Sequence, residues 1–218
     1  MSFSHYDATL ILRALAMTIT LSVAGAVTGT AIGTALALLR FSTHALLRPL
    51  RLLVMLYVGL VRRIPFLIVL YGVFFATGMA GIDISPPLVA LAAISLIGGA
   101  YISQIVYNGL CNVDTTQIEA AETTNLRRGT ILRHVILPAA LPGIVPPVLG
   151  YLVLFVKDTA LASQIGVIEL NQASIILTNR GLPTYRIFVL VLCLYFLVSF
   201  PLTTLSRKME KKLAASAT

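Results

Sequence analysis

A chain of 218 residues that is 58% hydrophobic and 11% charged, with a mean hydropathy of +0.94, lacks the charged surface a soluble core of its size needs. Its net charge of +8 includes no basic run interleaved with exposed aromatics, so no nucleic-acid partner is expected and the charge is first a topology signal. Cys111 and Cys193 are too far apart for a CxxC site and His5, His44 and His134 are scattered, which leaves no metal site in view.

The apolar intervals predict an all-α integral membrane protein with about five transmembrane helices, forming one domain over 1–218. The spans are expected at residues 14–39, 64–82, within 84–113, 135–156 and 187–206, each near the ~20 residues that a bilayer core requires. The first follows a mixed polar segment, without a basic start or a small-residue cleavage site, and is expected to stay as a span. Two shorter apolar pieces, 52–61 and 159–168, are expected to be interfacial or re-entrant.

If the polar loop at about 112–138 faces the cytoplasm, twelve of the sixteen Lys and Arg residues lie inside. The positive-inside rule then puts the N-terminus out and the C-terminus in the cytoplasm.

In the first span Gly25, Gly29 and Gly33 repeat at four-residue spacing and share one helix face, open either to ordinary packing or to a subunit interface. Arg62 and Arg63 precede Ile64-Pro65, and Pro65 suits a helix start because its missing amide would have been unpaired anyway. These arginines are expected at the cytoplasmic boundary, as headgroup anchors or as gates of an inner mouth. The third span carries Gly98-Gly99-Ala100-Tyr101, where small residues allow close approach to the backbone, and Tyr101 shares a face with Gln104.

The polar loop carries a compact helix signal. Thr116 with Glu119 reads as a capping box, and Asp114 with Gln117 is a second candidate cap beside it. The helix is expected from Gln117 to about Thr124 and to end at Asn125, with Ala120 and Ala121 forming a side-chain-poor face that another protein can approach. A second helical stretch is expected from about Arg128 to Pro138. The fourth span, with Pro142, Pro146, Pro147, Gly143 and Gly150, is expected to be broken and to survive only beside protein or a wet cavity. Lys157 and Asp158 close it as charges that must reach the interface or find partners. The basic run 207–212 reads as a stop and an anionic-lipid anchor.

Four of these segments carry a resemblance. Glu119-Ala120-Ala121, three residues, Asn125, nine residues and Val135-Ile136-Leu137-Pro138 resemble the EAA loop, EAA-x3-G-x9-I-x-LP, of bacterial ABC importer permeases. Residues 99–110 (GAYISQIVYNGL), 61–67 (VRRIPFL) and 157–163 (KDTALAS) are similar to the GAYxAEIxRGxI, RGTPLL and KDTSLxS segments of the polar amino acid uptake branch, in the same order. The resemblance covers about residues 15 to 207.

It implies the type I importer fold and a multi-pass subunit of the bacterial cytoplasmic membrane that moves polar amino acids by alternating access. It also implies two ATPase subunits docked on Thr116, Gln117, Glu119, Ala120, Ala121 and Asn125, a second permease copy or homologue, and a periplasmic or tethered amino-acid-binding protein. Besides these partners only membrane lipid is expected. ATP and Mg belong to the ATPase partners, since this chain has no GxxxxGK[ST] loop and is not itself an enzyme.

The substrate pathway implied by the resemblance comprises Tyr101, Gln104, Gly150, Lys157, Asp158 and Thr159, with Glu169 a weaker candidate and Arg62, Arg63 and Pro65 at the inner mouth. The chain departs from the pattern at Gln104, where the family usually has Glu, at Tyr107 in place of Arg, at Gly150-Tyr151 in place of Asn-Gln, and at Asn125 in place of Gly. Loss of the buried carboxylate suits a substrate without a cationic side chain, or a permease that engages substrate less than its partner does. A secondary transporter or channel would leave the polar loop unexplained, and a membrane anchor would not need a broken fourth span.

Overall fold

The computed structural model describes residues 4–124 and 126–215, and every described element is helical. The elements are α1 (His5–Phe41), α2 (Arg48–Val61), α3 (Phe66–Met79), α4 (Pro86–Cys111), α5 (Thr115–Thr123), α6 (Arg128–Ile131), α7 (Leu137–Asp158), α8 (Leu170–Asn179) and α9 (Thr184–Ala215). Four stretches are long and apolar enough to cross a membrane unaided: α1, α4, residues 128–165 and residues 184–212.

A fifth crossing exists only if α2 and α3 count as one span bent by 115°. The 64–82 segment expected to cross alone is thus too short to do so as a helix, and crosses only if it is joined to α2. Its helix has 14 residues, about 21 Å of rise, against a hydrocarbon core of ~30 Å. Pro65 stands at the break as the residue before the first turn of α3, which explains why α2 cannot run on into α3.

The core is the contact between α1 and α4. Gly25, Gly29 and Gly33 are buried along α1, and a side chain on Gly25 or Gly33 would strike α4, while one on Gly29 would press on the Phe155 ring of α7. A Cβ at Gly25 would come within 2.5 Å of Ile94, and one at Gly33 within 2.9 Å of the Ser103 backbone nitrogen. Gly98 faces Gly29, and a Cβ there would lie 2.4 Å from the ring of Phe155 on α7. Across the same seam the Thr28 and Ser95 hydroxyls hydrogen-bond at 2.6 Å. The glycine repeat thus serves packing within the chain.

The fourth span departs from expectation. Helix α7 runs unbroken through Pro142, Pro146 and Pro147. The irregularity lies one turn earlier, where residues 132–136 widen into a π-type turn before Pro138 enters the first turn of α7. Pro138 therefore continues a helix that was expected to stop there. A proline near a helix start removes a donor that has no intrahelical partner anyway, and interior prolines are tolerated where neighbouring helices shield the freed carbonyls.

The end of the bundle where α1 starts is closed by a second cluster. Asp7 and Arg180 pair at 2.9 Å, tying the start of α1 to the end of α8, and the Arg180 guanidinium lies 4.7 Å above the Tyr6 ring. Glu169 is fully buried and caps α8, accepting from the Asn171 and Gln172 amides at 2.9 Å each and from the Tyr195 hydroxyl of α9. Thr18 of α1 accepts from the Leu170 amide at 3.2 Å, so α1, α8 and α9 meet at one polar knot.

Candidate functional site: an aromatic and arginine cluster, and a polar loop helix

The first half of the site forms where the bent α2–α3 pair meets α4. The Tyr101 hydroxyl donates to the Arg62 carbonyl at 3.1 Å, and the Arg62 guanidinium lies 5.3 Å from the Tyr101 ring centroid. The other side of Tyr101 stacks on Tyr151 of α7, with centroids 4.9 Å apart, and Tyr151 meets Phe155 edge-on at 5.2 Å. The Tyr57 hydroxyl of α2 also donates to the Leu96 carbonyl of α4.

Tyr101 lies ten residues before Cys111, about 15 Å from that end of α4, so the elbow carrying Arg62 and Arg63 packs against α4 well before its end. A guanidinium kept from water is costly unless it is partnered, and the face of an aromatic ring is one partner it can have.

Gln104 sits one turn further along α4, and its side-chain oxygen accepts from Arg40 of α1 at 3.0 Å. Its nitrogen donates to the Asn108 oxygen at 2.6 Å, and the Arg40 guanidinium lies 4.1 Å over the Tyr107 ring. Arg40 was visible in the sequence only as one of the inside charges. Its partner is 64 positions away, and no local pattern links them.

The remaining pathway candidates separate. Asp158 is half-buried and lies two turns beyond Tyr151, on the same face of α7. Lys157 points the other way, into a groove of about 600 Å³ between α7 and α9 that Tyr195, Ser199, Thr203 and Arg207 also line. Gly150 faces α9 as well, with the Ser206 hydroxyl the nearest atom to a Cβ placed there, at 3.9 Å. Thr159 is fully buried and its hydroxyl donates to the Val156 carbonyl at 2.8 Å, so it offers nothing to the open face. Glu169 is spent on capping α8.

The second half is the loop helix α5. Its cap is Asp114, whose carboxylate accepts from the Thr116 amide at 2.9 Å. The capping box of Thr116 with Glu119 is not formed, because the helix starts two residues earlier than expected and Thr116 is already inside it. The Thr116 amide, with a smaller contribution from the Thr116 hydroxyl, holds the Asp114 carboxyl below the usual carboxylate range.

Thr116, Gln117, Glu119 and Ala120 are exposed, whereas Ala121 is buried and Ile118 packs against the core. Ala121 therefore seats the helix on its own protein and cannot be part of an outward small-residue face. Asn125 lies outside the described residues.

Comparison with known proteins places this architecture. Residues 29–214 match the family described as "Binding-protein-dependent transport system inner membrane component". The "Probable glutamine ABC transporter permease protein GlnP" of Bacillus subtilis (strain 168) is 31% identical over 72% of this chain and 74% of its own length. The "L-cystine transport system permease protein TcyB" of the same organism is 31% identical over 90% of this chain and 83% of its own.

Among solved structures, a chain of an amino acid ABC transporter crystallised with histidines superposes with a TM-score of 0.86 at 23% identity, over 97% of this chain and 100% of that one. A chain of the inward-facing MetNI methionine ABC transporter gives 0.73 at 24% identity, over 95% and 99%. The four or five spans, the polar loop helix and a match over most of the chain make this protein a member of the family of inner membrane components of binding-protein-dependent transport systems, the permease subunits of ABC importers.

Proposed function

We propose that this chain carries polar amino acids inward across the bacterial cytoplasmic membrane, as one permease of a pair driven by two ATPase subunits and fed by an amino-acid-binding protein. The family match and the amino acid systems named among the relatives support this reading. The N-terminus lies outside and the C-terminus inside, in keeping with the distribution of Lys and Arg.

The ATPase grips the outward face of α5 through Thr116, Gln117, Glu119 and Ala120. The short helix is anchored through Ile118 and Ala121, so a push on its outer face is transmitted to the spans. The spans then rock between inward and outward access. ATP and Mg stay in the ATPase, and what this chain supplies is the path.

That path passes Tyr101, Arg62 and Gln104, with Arg63 and Pro65 at the elbow and Asp158 above. Lys157 and Gly150 belong to it only if the pairing of permeases turns the α7–α9 face inward, and the buried Thr159 does not line it.

The contact between Arg40 and Gln104 carries the substrate assignment. A fixed guanidinium beside a neutral amide repels a cationic side chain and accepts an acidic or amide-bearing one. Substrate-stimulated ATP hydrolysis by the reconstituted complex, screened over the amino acids with and without Gln104→Glu, tests it. Stimulation by acidic or amide amino acids in the wild type, with cationic ones joining only after the change, supports the assignment. A preference unmoved by Gln104→Glu hands specificity to the binding protein or the second permease.

A further inference from the structure

Arg40 has a second neighbourhood. Beyond its contact with Gln104, it forms one wall of a pocket of about 290 Å³ completed by Arg48, Arg51, Leu52, Met55 and Tyr107. The pocket lies where α1 ends and α2 begins, beside the last turns of α4, so it sits level with three helix ends and hence near the membrane interface.

Its charge is uncompensated. None of these arginines has a carboxylate within ion-pair distance, and the sole ion pair among the described residues is that of Asp7 with Arg180. Arg51 is held in place by donating to the Ser42 and His44 carbonyls, and Arg128 reaches Thr43 in the same linker at 2.6 Å. Three arginines thus line the pocket and Arg128 reaches the linker beside it, and like charges gathered on one pocket favour an anion among them.

The shape names the anion. Arg48 and Arg51, three apart, share a face of α2, and Leu52, Met55 and Leu56 continue that stripe along the helix. All three apolar residues are exposed, at 57%, 45% and 58%. A cationic head leading into an apolar track has the layout of a phospholipid and does not suit a small soluble ion.

We propose that this pocket binds the phosphate headgroup of an anionic phospholipid of the inner leaflet, with Arg48 and Arg51 on the phosphate, Arg40 behind it, and an acyl chain along Leu52, Met55 and Leu56. Arginine suits this task because its planar fork grasps phosphate oxygens in pairs. Pinning the α1–α2 linker in this way would also hold the short α2 against α1 and α4.

The test is native mass spectrometry of the whole transporter complex, titrated with phosphatidylglycerol or phosphatidylcholine. Three forms are compared: wild type, Arg48→Gln with Arg51→Gln, and Arg48→Lys with Arg51→Lys. A tail variant, Lys211→Gln with Lys212→Gln, controls for loss of general basic charge.

The wild type should retain phosphatidylglycerol over phosphatidylcholine, the glutamine pair should lose that retention about tenfold, and the lysine pair and the tail variant should keep most of it. Should the glutamine pair misfold, the lysine pair still decides, since retention weakened by loss of the arginine fork but still above that for phosphatidylcholine supports the site. Equal retention of both lipids by wild type, or equal loss in the tail variant, overturns it. Displacement of bound phosphatidylglycerol by millimolar inorganic phosphate gives the pocket to a soluble anion. Loss of the ATPase subunits from the glutamine pair with lipid retention intact gives it to a protein partner. Either result overturns the lipid assignment.

Discussion

Helices α4 and α9 are both membrane spans, yet they live in different surroundings. In α4, 61% of the most apolar window is buried inside the chain, and in α9 only 11% is. The reason is residue size. Helix α4 meets α1 through glycines and hydroxyls that bring backbones together, whereas α9 presents Leu192, Phe196, Leu197 and Phe200, all more than half exposed. In a membrane apolar side chains gain little by leaving lipid, so close packing by small residues makes the fixed core, and a bulky apolar helix is left for lipid or a partner.

The largest effect expected is at the seam. Gly98→Leu must displace the Phe155 ring, and Gly33→Leu must displace the Ser103 backbone, so both should destabilise by about 3 kcal/mol or more and yield little folded protein. Gly143→Ala, with open space around its Cβ, is the matched control on α7. Thermal unfolding of the detergent-solubilised complex reads all three, and a seam variant as stable as Gly143→Ala would remove the distinction.

The polar knot of α1, α8 and α9 should come next. Glu169→Ala leaves two amides and a tyrosine hydroxyl unpaired in a buried place, which costs about 1–3 kcal/mol, and Tyr195→Phe should cost about 1 kcal/mol. Both should appear as lower unfolding temperatures. If Glu169→Ala were neutral, α9 would owe its position to something other than this knot.

A smaller, local effect is expected in α5. Asp114→Ala should speed amide exchange in residues 115–118 severalfold while the spans keep their protection. Because the folded-state pKa of Asp114 lies below its unfolded value, its contribution is complete at neutral pH. It is lost only as pH falls through the folded value, so exchange protection of α5 in the wild type should be flat from pH 8 to about pH 5. A change in that range would point to another titrating group.

The smallest effect is expected on the open face. Leu192→Ala, at a residue 68% exposed, should shift stability by less than about 0.5 kcal/mol. A drop of several degrees would mean that this part of α9 is covered by a permanent neighbour in the assembled transporter, and would turn the contrast into one between two packed interfaces.

Much was legible in the linear pattern. Long uncharged runs announced α1, α4 and α9, since a bilayer tolerates few other segments of that composition. The polar interval at 112–138 held a short capped helix, and the glycine spacing in α1 identified a packing face. Side chains that meet across helices were not legible, because insertion in a membrane constrains polarity and length but not which distant residues touch.

Arg40 and Gln104 are both unremarkable in their own segments, and only the crossing of α1 with α4 joins them. Tyr101 and Tyr151 stack for the same kind of reason. The contact of Arg62 with Tyr101 depends on a 115° bend between α2 and α3 that a hydropathy count cannot show, and only the fold gives Lys157 its place in the α7–α9 groove.

Sequence alone determined that this chain is a bundle of membrane helices interrupted by one long polar loop, because the cost of unpaired backbone and buried charge in lipid leaves few alternatives. Tertiary structure alone decided which charges are paired, which arginines gather around the α1–α2 linker, and which faces stay open. Those contacts depend on where helices cross, and crossing is set by the small residues of α1 and α4 together rather than by either segment.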